Sequence, residues 1–251
     1  MTLRLEKDGA IARLLIDRPD QRNAFDLAMW ESMPRLLADV VSDRGIRLLE
    51  VRSATGGTFS AGADIKEMVA NSDDRHWREI NQAEINRAQH ALARVAVPTV
   101  AFIEGDCIGM GCGLALACDI RVATEKARFG ITPAKLGLVY PLHDTKLLMD
   151  LVGPGMAKTM LFTGAMIDAA RALDCGLVEL IADSPAQISD AILEASPHSI
   201  HETKRFIRAI LDGQTEDDSY SLGVFAAAFS LPDFREGAAA FVEKRKPQFG
   251  K

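Results

Sequence analysis

Apolar positions in this chain follow two rhythms that trade places along its length. Residues 3–6 and 11–16 are short strand-like runs flanking Lys7-Asp8-Gly9, a pattern that predicts a hairpin. Arg18-Pro19-Asp20 breaks it. Asp26 then stands as a helix N-cap ahead of Trp30, Met33, Leu37 and Val41, whose spacing predicts one buried helical face. Pro34 lies inside that pattern and is expected to kink the helix or shift its start. Residues 46–52 read as a buried strand leading into a glycine-containing loop at 56–62, and a long polar helix follows over 73–93. Residues 99–104 are strand-like, 105–119 a glycine-rich turn continuing as a helix of small residues, and 120–124 strand-like again. Continuous apolar strands alternating with helices predict an α/β core.

Past residue 145 the rhythm becomes mainly helical. Short helices are expected over 146–152, 156–162 and 169–175, a strand over 176–181, and a helical tail from Ile188 with breaks at Pro197, Gly213 and Leu231-Pro232. The chain divides on this reading into a core over 1–187 and a helical region over 188–251. The tail carries an apolar stripe, including Ile200, Ile207, Ile210 and Leu211, that the core need not cover.

Composition narrows the function classes. At 251 residues with 48% hydrophobic and 25% charged content, the chain is ordinary for a globular protein. No apolar run approaches the ~20 residues that span a bilayer, and the N-terminus has no apolar stretch followed by a cleavage site. A net charge of -6 argues against a broad nucleic-acid surface. Cys107, Cys112, Cys118 and Cys175 show no metal-ligand spacing, and reduced thiols in a cytoplasmic protein are the expectation.

Two segments carry candidate chemistry. FSAGADIKEM at 59–68 is a loop of small residues ending in a helix start, where Gly62 permits unusual backbone angles and a ligand can approach the main chain. Residues 105–115 follow a strand and open a helix, where free N–H groups favour negative charge. Converging on one oxygen, the two would form an oxyanion hole. Taken singly, each reads as readily as a tight turn with close helix packing.

Together these segments resemble the crotonase, or enoyl-CoA hydratase/isomerase, superfamily. Arg18-Pro19 with Asn23-Ala24-Phe25, residues 59–68, residues 105–120 ending in Cys118-Asp119-Ile120, and the C-terminal run Phe241, Glu243 to Pro247 and Phe249 carry the likeness across the whole chain. The resemblance implies a spiral of ββα repeats, a helical trimerisation tail, trimers or dimers of trimers, and an acyl-CoA substrate. It implies no separate cofactor, because coenzyme A is part of that substrate, and no metal. It makes the backbone N–H groups of Ala63 and Met110 the oxyanion donors. It places Ala61, Asp64 and Ile65 around the thioester and adenine end, Arg22, Ala24 and Lys66 near the CoA moiety, and Lys244 with Phe241 at CoA across a subunit boundary. Outside this context Lys66 and Lys244 read as ordinary solvated charges.

The hydratases of the superfamily use two glutamates to position water and move protons. Here those positions hold Gly113 and Pro133, neither of which can transfer a proton. Thr132 and Tyr140 stand nearby, in a spacing similar to that of methylmalonyl-CoA decarboxylases of the same superfamily. Losing CO₂ from a malonyl-type thioester makes an enolate without a base, so this resemblance implies decarboxylation, with Thr132 orienting the carboxylate and Tyr140 supplying a proton. Those decarboxylases carry histidine and glutamate where Ala63 and Gly113 stand here. Tyr140 reads equally as a core aromatic whose hydroxyl meets the backbone. Asp144, beside His143, reads as an N-cap unless it points into the pocket, where a raised pKa would make it a proton carrier. Hydration or isomerisation through Asp144, and a silent acyl-CoA-binding subunit, are the alternatives. Asp119 reads as structural, and His198 and His201 carry no partner pattern.

Overall fold

The computed structural model describes residues 2–249, which divide into two compact units. The first takes in the chain up to Val95 together with Thr99–Pro185; the second takes in Ala96–Pro98 and the chain from Ala186. The boundary lies between Pro185 and Ala186, and the short piece Ala96–Pro98 joins the second unit, a contribution that the contiguous division at 187/188 did not include.

In the first unit, β1 (Leu3–Asp8) and β2 (Ile11–Ile16) form the expected hairpin, paired antiparallel from Leu3↔Ile16 to Asp8↔Ile11. Helix α1 spans Leu27–Ser42, with the Asp26 carboxylate accepting from the Met29 N–H at 3.0 Å. Its buried face is Met29, Trp30, Met33, Leu37 and Val40; Val41, expected on that face, is exposed, one residue out of phase. The helix starts directly after its cap and runs on past Pro34.

Next come β3 (Leu48–Ser53), α2 (Ile65–Ala70), α3 (Arg75–Ala93), β4 (Thr99–Ile103), β5 (Asp106–Ile108), α4 (Met110–Ala117), β6 (Ile120–Ala123) and β7 (Arg128–Gly130). Then follow α5 (Leu142–Thr163), β8 (Ile167–Asp168), α6 (Ala169–Asp174) and β9 (Leu180–Ile181). Two helices were expected within α5; the boundary is present as a break at Gly153 (φ 71°, ψ 165°), followed by Pro154. The strand expected over 176–181 shrinks to its last two residues.

The larger sheet has six strands in the order β1-β2-β3-β4-β6-β9, parallel from β2 onward, and the smaller has three in the order β5-β7-β8. Every residue of β4 is buried, as a parallel strand covered on both faces requires. The chain visits the two sheets alternately. β4 in the large sheet leads to β5 in the small one, then α4, then back to β6 and on to β7. This is the ββα spiral. One turn earlier, β3 leads to Ser60, which makes a single parallel bridge to Cys107 of β5. The spiral thus lays the 59–63 loop alongside β5. Inside it, α1 packs on α3, α3 on α4 and α4 on α5.

Two polar residues hold strand ends. Arg121, on β6, donates to the carbonyls of Cys118 and Leu177 at 2.9 Å and pairs with Glu179. Asp119 accepts from the N–H and hydroxyl of Thr99 at 2.8 and 3.0 Å, the structural role expected of it.

The second unit is helical: α7 (Ala186–Glu194), α8 (Pro197–Leu211), α9 (Ser219–Ala228) and α10 (Pro232–Glu243). The expected breaks fall on helix ends. Pro197 and Pro232 occupy first turns, where a missing N–H costs nothing, and Gly213 follows α8. Lys204 of α8 donates to the Val97 carbonyl at 2.8 Å, which ties in the piece Ala96–Pro98.

Asn23 anchors the approach to the 59–63 loop. Buried and at φ 56°, it accepts from the Arg18 N–H at 2.9 Å and donates to the Ser53 hydroxyl at 2.9 Å and the Thr58 carbonyl at 2.7 Å. Asn23→Ala leaves these groups unsatisfied in a left-handed conformation that alanine resists. It should lower unfolding free energy by roughly 2–4 kcal/mol in urea titration; a loss within a few tenths of a kcal/mol would refute this account of the loop.

Candidate active site

The site begins where main chain meets main chain. The Ser60 N–H donates to the Asp106 carbonyl at 3.1 Å and the Ile108 N–H to the Ser60 carbonyl at 2.9 Å, so the first loop runs as an extra strand beside β5. Glycine makes the approach possible. A Cβ on Gly62, at φ 100°, would lie 2.8 Å from the Ile108 carbonyl oxygen and 3.3 Å from the Met110 nitrogen; one on Gly111 would lie 2.7 Å from the Ser60 carbonyl oxygen. Any side chain at either position would push the loops apart.

This packing leaves two donors unused. Around Ala63, the Phe25 N–H donates to Gly62 and the Asp64 N–H to Phe25, both at 2.8 Å, and Ala63 itself donates to nothing among the described residues. Met110 is the first residue of α4, so its N–H has no intrahelical acceptor, and it too donates to nothing among the described residues. Gly109 before it has φ 54° and ψ -117°, a conformation that glycine alone adopts readily. Two free N–H groups on loops in van der Waals contact, one at a helix N-terminus, can hold a developing oxyanion.

Three polar side chains gather around α4. Tyr140 is buried, and its hydroxyl donates to the Gly109 carbonyl at 3.2 Å, the backbone bond that the core-aromatic reading expects. Burial first, and then the neighbouring Asp144 carboxylate, push the phenol well above its ordinary pKa, so it keeps its proton. Thr132 sits across Gly109, its hydroxyl oxygen 3.9 Å from where a Cβ on that glycine would be. Pro133 opens a single 3-10 turn, Pro133–Leu136, where its fixed φ is an asset.

Asp144 is not the helix cap that the sequence suggested. Pro141 takes the cap position of α5, because its φ of -58° starts the helix earlier, and Asp144 falls in the first turn with its side chain turned inward. It has no exposed surface. One carboxylate oxygen accepts from the Gln89 amide at 3.1 Å and the other has no partner among the described residues. Burial pushes its pKa up to about 7, opposed only in part by the Gln89 bond. The carboxylate fills the space beside Gly113: a Cβ there would lie 2.6 Å from one Asp144 oxygen and 2.5 Å from the Gln89 amide nitrogen. Sequence reasoning missed Gln89. Its signal is a lone polar residue on the buried face Ile85, Ala88, Leu92 of α3.

The residues expected near CoA have mixed roles. The Asp64 carboxylate caps α2, accepting from the Lys66 and Glu67 N–H groups at 3.0 and 3.2 Å, and pairs with Arg18 at 2.8 Å. Burial pushes its pKa up, but Arg18 and those N–H groups prevail and hold it below the usual carboxylate range. Its side chain is accounted for by the fold. Arg22 pairs with Asp106 at 2.7 Å, and Arg128 joins the same carboxylate. The Arg22 carbonyl accepts from the Ala61 N–H at 2.9 Å, Ala24 is buried, and Ile65 and Lys66 are exposed on α2. Phe241 and Lys244 belong to the second unit. Both are exposed, and Lys244 ends α10 in the left-handed conformation. His198 and His201 lie on α8. All four cysteines are free thiols, three of them buried. Among the described residues no cluster could hold a metal, and no helix is long and apolar enough to cross a membrane.

The α/β spiral thus brings together two loops whose Ala63 and Met110 N–H groups have no acceptor among the described residues. The enoyl-CoA hydratase/isomerase family model matches residues 6–251, and the chain belongs to that family. It is 30% identical over 256 aligned residues to the short-chain-enoyl-CoA hydratase of Clostridium acetobutylicum, covering 96% of this chain and 95% of that one. It is 31% identical to the crotonyl-CoA hydratase of Syntrophomonas wolfei, covering 98% and 96%. Among solved structures, an enoyl-CoA hydratase/isomerase family protein from Hyphomonas neptunium superposes with a TM-score of 0.93 at 35% identity, covering 100% of this chain and 98% of that one. The enoyl-CoA hydratase of Bacillus anthracis gives 0.89 at 25% identity, with 99% of each chain covered.

Two outcomes follow from the contact of Gly113 with Asp144. Gly113→Ala should cost about 1–3 kcal/mol by overpacking, and trimming Gln89 to Ala in the same chain should recover part of the loss; strict additivity in urea titration would contradict the contact. The raised pKa also sets a sign. A carboxyl that holds its proton more tightly folded than unfolded loses stability as pH climbs from about 4 through 7. Asp144→Asn should therefore be more stable than wild type at pH 8, by on the order of 4 kcal/mol at most, with the advantage fading toward pH 4.

Proposed function

We propose that this chain moves a double bond within the acyl group of a CoA thioester, forming the enolate in the Ala63 and Met110 hole and using Asp144 as the single acid and base. The observation that carries this reading is the buried Asp144 carboxylate beside Gly113, poised near neutral pH. A group with a pKa near the working pH serves as base in one half of a reaction and acid in the other. In the base half, Asp144 takes the α proton of a β,γ-unsaturated thioester and the released pair becomes an enolate whose charge rests on the carbonyl oxygen. In the acid half, the same proton returns at the γ carbon and leaves the α,β isomer. Hydration needs a second group to position water, and Pro133 cannot serve. Because Asp144 has no exposed surface, its proton is sheltered from bulk water, which suits transfer within one substrate better than addition of water.

A second reading, decarboxylation of a malonyl-type ester, rests on Thr132 beside Gly109. It needs Tyr140 as proton source, and that hydroxyl is engaged with Gly109 and holds its proton tightly.

The second unit supports an assembly. Phe225, Phe229 and Phe234 form a chain of edge-on contacts, with centroids 5.7 and 5.3 Å apart, yet each ring is about half exposed or more. We propose that a trimer or dimer of trimers covers this surface and that Lys244 and Phe241 meet a neighbour's CoA. Light scattering at micromolar concentration should then give three or six chains; a monomer would overturn it.

Activity is tested with β,γ-unsaturated, crotonyl- and malonyl-CoA, read by mass spectrometry in D₂O. The double bond should shift with little solvent deuterium gained, and Asp144→Asn should slow it by roughly 10²–10⁴-fold while CoA binding persists. Efficient hydration, loss of CO₂ or no turnover would each replace this reading with its rival.

A further inference from the structure

The peptide unit between Gly109 and Met110 has two polar ends, and the protein treats them differently. Its N–H end is the Met110 donor. Its C=O end, the Gly109 carbonyl, accepts twice: from the Gly113 N–H at 3.2 Å, the first turn of α4, and from the Tyr140 hydroxyl at 3.2 Å. The preceding N–H, on Gly109 itself, is fixed to the Gly130 carbonyl at 2.8 Å. The Gly109 N–H and C=O are both tied down, and the Met110 N–H has no acceptor among the described residues.

We propose that Tyr140 is a positioning residue of the oxyanion hole, acting on the Met110 N–H through the Gly109 carbonyl of the same peptide. The proposal rests on the reading of Ala63 and Met110 as oxyanion donors. Two effects follow from the bond. A carbonyl that accepts hydrogen bonds draws electron density from its own amide nitrogen, so the N–H across the peptide becomes the stronger donor; such polarisation along a chain of hydrogen bonds amounts to perhaps 10–30% per bond. The bond also fixes the plane. Gly109, with no side chain and a conformation outside the range of other residues, has the least intrinsic preference for its ψ, and the hydroxyl of a buried ring supplies an external stop. Both effects require a hydroxyl that stays protonated, as burial and the nearby Asp144 ensure.

A core tyrosine needs only some backbone acceptor for its hydroxyl; here the acceptor is the carbonyl of the peptide that carries the Met110 N–H. A general acid would not be aimed at a backbone carbonyl on the opposite end of the peptide from the donor. The bond to Gly109 makes sense of the tyrosine without asking it to give up its proton.

The carbonyl stretch of a bound thioester reports the strength of the hole directly. The probe is butanoyl-CoA isotope-labelled at the thioester carbonyl, which has no double bond to hydrate or shift and no carboxylate to lose. Difference infrared spectra are taken free, on wild type, on Tyr140→Phe and on protein carrying a ring-fluorinated tyrosine at position 140, whose phenol is a stronger donor. The stretch should fall to lower frequency on wild type, recover part of the way toward the free value on Tyr140→Phe, and fall further on the fluorinated protein. Turnover should drop about three- to ten-fold in kcat for Tyr140→Phe with KM little changed, a smaller loss than removing an oxyanion donor outright. If wild type lowers the frequency and both variants match it, Tyr140 does not act on the hole and the proposal falls while the hole stands. If wild type leaves the free value unchanged, the hole itself is absent and both fall. Should Tyr140→Phe fold poorly, the fluorinated protein alone decides, because its ring packs almost as tyrosine does.

Discussion

The rest of the site depends on the bare contact between the 59–63 loop and the 105–111 segment. Here two stretches of main chain approach so closely that Gly62 and Gly111 have no room for a Cβ. Backbone hydrogen bonds on either side of Ser60 align the stretches, and the spiral delivers them side by side from successive turns. A donor built in this way needs no particular side chain, only a bridge to Phe25 that leaves the Ala63 N–H without an acceptor among the described residues and a helix that starts at Met110. The position of these N–H groups is then a property of the fold, held as firmly as the sheets hold.

Around that contact, a buried polar pair comes from α3 and α5. The small residues of α4 let neighbouring helices draw near, and Gly113 admits the Asp144 carboxylate into space that a longer side chain on α4 would occupy. The carboxylate is thus supplied by α5 rather than by α4. With a single amide as its partner and no water-accessible surface, it titrates near neutrality instead of near 4.

Much of this was legible in the sequence, for reasons that differ by residue. Strand β4 was visible because it is a nearly continuous apolar run, and the cap at Asp26 because one carboxylate at a fixed offset from an apolar stripe is a local signal. Breaks at Gly153, Pro197 and Pro232 were visible because glycine and proline act through their own backbones. The two glycine-rich segments were legible, though their meeting is a contact between turns of a spiral that no local pattern encodes. What stayed hidden was direction. Asp144 looked like a cap because nothing within a few residues shows that Pro141 already starts the helix or that Gln89, more than fifty positions earlier, waits across the core. Val41 and Val40 could not be told apart for a related reason: one residue of phase decides which lies inside, and neighbouring elements set the phase.

The fit between Gly113 and Asp144 also constrains the order in which this sequence could change its chemistry. A longer residue at 113 is blocked while Asp144 and Gln89 keep their places, so a step that enlarges α4 first meets a clash. A step that shortens Asp144 or Gln89 first opens a cavity but leaves the fold passable, and the larger residue can then enter. Of the two paths between one carboxylate arrangement and the other, only one avoids an overpacked intermediate. The three positions are therefore coupled by simple exclusion of volume, and a library that varies them one at a time would score the second arrangement as forbidden when it is merely reached from the other side.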